Sequence, residues 1–385
     1  MRENSIRILA ICALIPTQLY ADDNTASGNN IEMKASEIGS YDSNPLLISN
    51  GAKGLWGSKT TPELIINSNN GNSKFDLDTS VVENIYDQSD FDSTDFHGKA
   101  NLEGSNDRWS AGLQGKADYD TTRTSELTTF NLNLPRVRRL GLDAAPEFSY
   151  HVSPLDTFSV TSSAGRYTYD NSAFVDYDFY TINPSYSRHF SPTDSAILTL
   201  QTQRYQTEEG PNNTTDSYGP TIGWQRIMTP RFSTTLTAGF EKTSQDSAIA
   251  TSRSTNLNYT FKGDLAYKDE LNSANAIASR AHQPFGNGTE ALVDSFALKG
   301  THAINEKLSL NAAAKYDAAE YDSVVGINLD HQFNTNLGLS YRVLPNFDAT
   351  ANYQYTSEVL TNVSGNIKDN AVLLGITYHP PADAF

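Results

Sequence analysis

Cysteine is almost absent from this chain of 385 residues, because Cys12 is the only one. Residues 1–21 combine a positive start, a short apolar core and a small residue at the end, which predicts a cleaved secretory signal peptide. Cys12 lies inside that peptide. The predicted mature chain therefore has no disulfide framework and no cysteine metal site. We expect residues 22–30 to form a short periplasmic segment.

Long apolar runs and positive charge are also scarce. After residue 21 no segment has ten consecutive apolar residues, so the sequence predicts no transmembrane helix. The chain has 28 Lys and Arg against 45 Asp and Glu, for a net charge of −17. An acidic surface repels phosphates, so this charge argues against nucleic acid as a partner. The 20 Tyr and 17 Phe, many at alternate positions, argue against disorder.

What is present is a repeat with a period of about 38 residues. Short turn signals at 151–154, 189–192 and 227–230 look alike, because each ends in Ser-Pro or Thr-Pro. Further turn signals occur at 69–72, 106–107, 269–270, 305–306 and 345–346. Each interval holds two strands, a tight turn and a longer loop, which is the hairpin unit of an outer-membrane β-barrel.

The segments between turns alternate with a period of two. From Leu329 to Val343 the odd positions are mostly apolar, whereas the even positions are all polar or glycine. Soluble strands are usually shorter than these segments. The predicted fold class is therefore all-β, a transmembrane antiparallel up-and-down barrel of about 18 strands over residues 31–385. Sixteen strands are the alternative, because the first pair is weakly patterned.

Prolines recur inside the predicted strands. Pro146, Pro184 and Pro220 each precede the proline of a turn by eight to ten residues. Proline cannot donate a ladder hydrogen bond, and this loss is costly where no water replaces it. We expect these prolines near the rim of the barrel or at bulges.

The polar faces of the strands are predicted to line a hydrated lumen. The charged candidates on these faces are Lys262, Asp264, Lys299, Lys315, Asp317, Asp330, Arg342 and Asp348. Arg136, Arg138 and Arg139 form the only basic cluster, and they lie in the longest turn-to-turn interval. One interpretation is a constriction loop folded inward, where arginines set charge selectivity. The other is an exposed loop tip or a site for lipid phosphate.

Sequence motifs for catalysis are missing. The chain has no Gly-rich phosphate loop, nucleophile elbow or zinc helix, and its seven histidines lack metal-ligand spacing. An acidic run at Asp87, Asp90, Asp92 and Asp95 is interpreted as a solvated external loop rather than a cation site. We therefore expect no cofactor, no bound metal and no enzymatic activity. A barrel hydrolase stays open as a minor alternative, because Ser, Asp and His side chains could converge at the rim.

Residues 38–45 read Ile-Gly-Ser-Tyr-Asp-Ser-Asn-Pro, and polar-Pro turns precede the later strands. Together these features resemble the β-barrel porins of the second type, Gram-negative outer-membrane proteins often linked to exopolysaccharide or capsule export. The resemblance implies a location in the cell outer membrane and contact with outer-membrane lipid, lipopolysaccharide and the barrel assembly machinery. It also suggests polysaccharide export proteins as partners. The tail Pro380–Phe385 departs from the pattern of a barrel that ends on an aromatic residue.

The expected function follows from a polar wall around a wide lumen. A barrel of 18 strands encloses water, so we expect a porin or channel that passes a polar solute or an exported polysaccharide. The alternative is a non-conducting structural barrel, or scaffold, of an envelope secretion or export assembly.

Overall fold

The computed structural model describes residues 28–122, 137–172, 174–208, 213–247, 254–284, 290–321, 329–361 and 363–380. They form one antiparallel sheet of 18 strands. The strands are β1 Gly28–Asp42, β2 Leu55–Asn69, β3 Ser73–Tyr86, β4 Ser93–Ser105, β5 Trp109–Thr121, β6 Arg138–His151, β7 Asp156–Tyr169, β8 Tyr177–His189, β9 Asp194–Thr207, β10 Asn213–Thr229, β11 Phe232–Ser247, β12 Ser254–Lys268, β13 Asn272–Pro284, β14 Glu290–Ala303, β15 Leu308–Glu320, β16 Leu329–Leu344, β17 Phe347–Leu360 and β18 Ile367–Tyr378. A 3₁₀ turn, Ser89–Phe91, lies between β3 and β4. Within these ranges no helix is long and apolar enough to cross a membrane.

The sheet closes on itself into a barrel. Each strand pairs with the next along the chain, and β1 pairs antiparallel with β18 from Ala35↔Tyr378 to Asp42↔Ala371. Closure removes the two sheet edges that would otherwise leave backbone groups unpaired in lipid. The prediction of an 18-strand antiparallel barrel is confirmed, and the 16-strand alternative is wrong because the weakly patterned first pair, β1 and β2, is fully part of the wall.

The outer surface of the barrel is apolar. Large side chains such as Trp56, Ile222 and Leu257 are 64%, 67% and 72% exposed, and similar residues occupy alternate positions on nearly every strand. A soluble protein does not leave such a continuous apolar surface in water. The outward band is that of a barrel that spans a bilayer, with the polar half of each strand directed inward.

The short turns share one local device. At the start of six of these turns one side-chain oxygen or carboxylate accepts the backbone N–H groups two and three residues further on, as Ser153 does for Leu155 and Asp156 at 3.1 Å each. Ser191, Thr229, Asn106 and Asn305 do the same in their turns. This preference of Ser, Thr, Asn and Asp for turns explains the turn signals in the sequence.

Asp269 plays this role in the turn between β12 and β13. Its carboxylate accepts the Tyr267 hydroxyl at 2.5 Å and the N–H groups of Leu271 and Asn272 at 2.9 and 2.6 Å. These hydrogen bonds, the one from Tyr267 first, hold the pKa of the Asp269 carboxyl well below its usual range.

The 38-residue period is also visible in side-chain contacts at the end of the barrel that carries the short turns, here called the turn end; the opposite end, which carries the long loops, is the loop end. The Asp156 carboxylate accepts the Tyr186 hydroxyl at 2.5 Å and lies 3.1 Å from Arg188. Thirty-eight residues later, the Asp194 carboxylate accepts the Trp224 indole N–H at 3.2 Å, and Arg226 lies 3.7 Å away. Each group links an aspartate, an aromatic ring and an arginine across neighbouring hairpins.

The strand prolines lie in the middle of the wall, at interruptions of one ladder. Pairing between β6 and β7 skips Pro146, and pairing between β8 and β9 skips Pro184. The expected position near the rim is therefore wrong, whereas the interrupted pairing agrees with the missing N–H. Side chains replace the lost rungs: Ser162 donates to the Pro146 carbonyl at 3.1 Å, and Thr202 to the Ile182 carbonyl at 2.5 Å.

The Asp-Ser-Asn-Pro segment that begins with the last residue of β1 fixes the first long loop to the start of β18. The Asn44 amide donates to the carbonyls of Ile48 and Lys368 at 3.0 and 3.1 Å and accepts the Ile48 N–H at 3.1 Å. Leu47 has a left-handed backbone, with φ of 46°, and packs against the buried cluster of Leu329, Leu360 and Ile367. This packing holds a conformation that a leucine seldom adopts.

Candidate functional site

The candidate site is the inner wall of the barrel, which the strand alternation defines. On β16 the side chains of Phe333, Leu337 and Leu339 are exposed on the outer face. The side chains between them therefore face inward, because successive residues of a strand point to opposite sides. The same reading applies to each strand, so the inner wall is assigned from alternation and from the contacts of its polar groups.

All eight charged residues that the sequence suggested for the lumen stand on strands, on the face opposite the exposed apolar side chains. Lys315 lies 2.8 Å from Asp317, and the guanidinium of Arg342 lies 3.7 Å from Asp348. Asp264 accepts the Asn275 amide at 2.8 Å, and Asp330 lies 3.0 Å from His331. The structure thus places them along the wall of β12 to β17; their role in a solute path stays a prediction.

Lys262 on β12 and Lys299 on β14 differ from the other candidates. Neither ammonium has a carboxylate within ion-pair distance in the part of the chain that the structure describes. An uncompensated cation on the wall of a lumen raises the local concentration of anions. Lys99 on β4 shares this property, because it alternates with the outward Phe96 and Leu102 and has no carboxylate within ion-pair distance among the described residues. Removal of any of these lysine charges changes the wall field directly.

The basic cluster is placed differently from the sequence prediction. Arg136 lies outside the described residues, whereas Arg138 and Arg139 are the first residues of β6 and belong to the wall rather than to a loop. They belong to the wall because β5 and β6 pair from Trp109↔Tyr150 as far as Thr121↔Arg138. Backbone hydrogen bonding to a neighbouring strand continues the ladder past the last apolar residue, which an alternation pattern does not reveal.

Both arginines are engaged by carboxylates. Arg139 makes a bidentate contact with Asp120, at 3.1 and 2.9 Å, and both side chains are buried. Arg138 lies 2.8 Å from Asp95 and stacks its guanidinium over the Tyr119 ring, 4.2 Å from the centroid. Their charges are thus compensated within the wall, and whether they narrow the lumen stays a prediction.

A second charged group on the inner wall was not singled out from the sequence. The Asp118 carboxylate on β5 contacts His97 of β4 at 2.8 Å and also pairs with Lys116. On β6 the Asp143 carboxylate accepts the Tyr167 hydroxyl at 2.7 and 2.9 Å. The alternation of β4 and β5 would have found His97, Lys116 and Asp118, since they alternate with Phe96, Leu113 and Tyr119, which are exposed on the outer face.

The inner wall is electrically uneven around its circumference. From β7 to β11 the inward positions are almost entirely Ser, Thr, Asn, Gln, Gly and aromatic residues, and Glu241 is the one carboxylate among those described. Several hydroxyls bond to each other across strands, as Ser159 with Ser185 at 2.7 Å and Ser163 with Thr181 at 2.6 Å. A neutral, hydroxyl-rich arc thus faces a charged remainder of the wall.

A Ser-His contact exists at the turn end. The Ser195 hydroxyl lies 2.7 Å from Nδ1 of His189. Thirty-eight residues earlier, His151 makes the same kind of contact with Thr157 at 3.0 Å. Because the contact recurs with the repeat and has a threonine in one copy, it is better explained by turn structure than by a nucleophile and its base.

Among the described residues, no group of three or more His, Cys, Asp and Glu could hold a metal ion. The acidic run is used structurally: Asp92 accepts the Tyr86 N–H at 2.8 Å, and Asp87 accepts the Trp56 N–H at 3.3 Å. Asp95 belongs to β4 and not to the loop in which the sequence placed it.

Taken together, the fold and the inner wall define a transmembrane β-barrel with a polar lumen. No family model and no curated protein matches the sequence. Among solved structures, the chain is similar to the outer membrane protein OpdK of Pseudomonas aeruginosa, solved with vanillate, at 10% identity over 91% of this chain and 98% of that one, with a TM-score of 0.47.

Two other solved structures have a similar shape. One is Pseudomonas aeruginosa OccK11 (OpdR), at 11% identity over 91% of this chain and 96% of that one, with a TM-score of 0.45. The other is the outer membrane channel DcaP of Acinetobacter baumannii, at 13% identity over 92% and 97%, with a TM-score of 0.44. Similarity at this level carries no argument about the solute or the site of this chain.

Proposed function

We propose that this protein is a non-enzymatic outer-membrane channel that passes small polar solutes through a hydrated lumen. The observation that carries the proposal is the closed ring of 18 strands with apolar side chains outside and polar side chains inside. Only such a ring satisfies strand backbones within a bilayer and still leaves a wet interior. The short turns would face the periplasm and the long loops the exterior.

Charge on the inner wall would set the selectivity of this channel. Arg139, Lys315 and Arg342 on the wall are paired with carboxylates, whereas Lys262 and Lys299 are not. These two lysines would attract anions into the lumen. An exported polysaccharide, and membership of the β-barrel porins of the second type, have no support beyond the sequence resemblance, and so we propose a small solute instead.

Outward-facing groups near the loop end fit a lipid headgroup zone. Arg166 contacts Glu208 at 2.6 Å, and Arg204 contacts Asp216 at 2.6 Å, with all four side chains at least partly exposed. Charged side chains on the outer face of a barrel are tolerated near the interface and not at the bilayer centre. We propose that these pairs lie among the headgroups of the outer leaflet, where lipopolysaccharide is the partner.

Single-channel recording in planar bilayers tests the proposal. Folded protein, recognised by heat-modifiable gel mobility, should give stepwise currents, and vesicles containing it should swell with small sugars and amino acids. Silence from folded protein would instead support a scaffold with a filled lumen. Heat-denatured protein at the same concentration is the control for detergent leaks.

The charge assignment has a matched pair of variants. Lys299→Gln should shift the reversal potential in a KCl gradient toward cation preference, because it removes an uncompensated inward charge. Lys242→Gln removes the same charge from the outer face, where Lys242 stands over the Tyr218 ring at 6.0 Å. Equal shifts from both variants would contradict the assignment of the inner wall.

A further inference from the structure

The ladder between β12 and β13 ends early. It pairs Phe261–Lys268 with Ser273–Arg280, although β12 begins at Ser254 and β13 continues to Pro284. On either side the ladders run on to the loop end, to Gln245↔Ser254 and to Pro284↔Glu290. In the described part of the barrel, no other pair of neighbouring strands leaves four rungs unformed at this end.

Side chains close the gap in place of backbone rungs. On one side the Arg280 guanidinium lies over the Tyr259 ring, 4.7 Å from the centroid, and reaches Asp294 and Glu320 at 2.5 and 2.6 Å. The closure here is therefore a stack and two ion pairs. None of these contacts joins the backbones of β12 and β13.

His282 stands on the same face of β13 as Arg280, but its imidazole reaches through the gap to side chains of the inner face. Its Nε2 lies 3.2 Å from the Thr243 hydroxyl, 3.3 Å from the Asn258 amide and 3.5 Å from the Glu241 carboxylate. The imidazole is only 6% exposed. Four missing rungs correspond to a slot about 13 Å long at the rise of a β-strand. We call this gap, between 254–260 and 281–284, the β12–β13 slot.

The two sides of the slot differ in chemistry. Its outer side continues into exposed apolar residues, with Leu257 72%, Phe240 63% and Tyr259 56% exposed. Its inner side is polar and is formed by His282 and its three partners. The slot thus joins a lipid-facing surface to the lumen through a section of wall that has no backbone hydrogen bonds to break.

We propose that the β12–β13 slot is a lateral portal for a single-chain amphiphile. The polar head would lie at His282, Asn258 and Thr243, and the acyl chain would stay among Leu257, Phe240 and lipid. Opening requires new rotamers of Arg280 and His282, whereas opening elsewhere in the wall would break several ladder hydrogen bonds. The inference rests on the membrane placement in the proposed function, but it does not require that the lumen conducts ions.

Cross-linking across the slot tests the proposal. In a Cys12→Ser background, Thr260→Cys with Ala281→Cys, which lie on the two sides of the slot outside the head site, is joined by a short bis-maleimide that contains a reducible disulfide. The full chain is placed in phospholipid nanodiscs with a lysophospholipid that has a photoactivatable diazirine on its headgroup. Mass spectrometry then locates the labelled peptides. The control pair is Ser309→Cys with Ser340→Cys, which face each other across the complete β15–β16 ladder.

The expected result is labelling of the lumen-facing peptides of β11 and β12, lost on cross-linking of the slot and restored by reduction. The control pair should leave the labelling unchanged. Labelling that persists in the cross-linked slot, or that is absent from the open chain, overturns the proposal. Conductance of the same samples tests the channel separately, so failure of the portal and failure of the channel are distinguishable.

Hydrogen exchange on the unaltered chain gives a second test that needs no variant. Backbone amides of 254–260 that point toward β13 should exchange faster in nanodiscs than the equivalent amides of 261–268, which have ladder partners. Equal protection of the two groups would show that the rungs form in lipid, and the portal would then be wrong.

Discussion

Gly165 on β7 offers a quantitative test of how the inner wall is packed. A Cβ added at this position would lie 2.2 Å from Cε1 of Phe179 and 2.6 Å from Oδ1 of Asp143, far inside van der Waals contact. Phe179 is directly opposite on β8, and Asp143 is directly opposite on β6. The missing side chain thus makes room for a ring on one side and a carboxylate on the other.

The expected cost of Gly165→Ala can be worked out from these contacts. Overpacking costs about 1–3 kcal/mol, and glycine in a strand gives back roughly 0.5–1 kcal/mol when it becomes alanine. If Asp143 moves, it also loses the Tyr167 hydroxyl, a hydrogen bond to a charged group that is worth about 1.5–3 kcal/mol. We therefore expect Gly165→Ala to lower the free energy of unfolding by about 2–4 kcal/mol.

The assay is urea unfolding in lipid vesicles, followed by the gel mobility of unheated samples. Gly115→Ala on β5 is the matched control, because a Cβ there meets nothing within 4 Å. The double variant Gly165→Ala with Phe179→Leu should recover part of the loss, because a smaller side chain frees the space. A Gly165→Ala barrel as stable as the Gly115→Ala barrel would refute the packing argument.

Three further outcomes are expected. Asn44→Ala removes three side-chain hydrogen bonds of the first long loop, so the free energy of opening this loop should fall by about 2–3 kcal/mol and proteolysis there should accelerate. An unchanged rate of proteolysis would contradict the anchoring. Thr202→Val leaves the Ile182 carbonyl without its hydroxyl partner and should cost about 1–3 kcal/mol in urea unfolding, whereas a neutral effect would mean that another group satisfies it. Asp269 has a lowered pKa in the fold, so its contribution to stability is present above the ordinary aspartate pKa of about 3.9 and is lost as the pH falls toward the lower folded value. Asp269→Asn should therefore reduce the loss of stability on acidification below pH 4. An unchanged dependence of the free energy of unfolding on pH in this range would contradict the lowered pKa.

The sequence alone determined the all-β barrel of about 18 strands, the position of the turns and the two faces of the wall, whereas the choice of 18 over 16 needed the pairing of β1 and β2 in the closed wall. Apolar and polar residues alternate visibly in the sequence because a bilayer outside and water inside impose opposite preferences on successive residues of every strand. The turn signals at Ser153, Asn106 and Asp269 are local, since each side chain bonds backbone only two or three residues away. Contacts between residues this close in the chain can be predicted from a short segment of sequence.

Only the tertiary structure decided what depends on register. Arg138 and Arg139 looked like a loop, and they became wall because β5 supplies backbone partners beyond the last apolar residue. The strand prolines are tolerated because hydroxyls on the next strand, such as that of Ser162, replace the lost rungs. The β12–β13 slot, likewise, is not visible in either strand alone. Pairing joins residues far apart in the chain, and alternation carries no information about which of them meet.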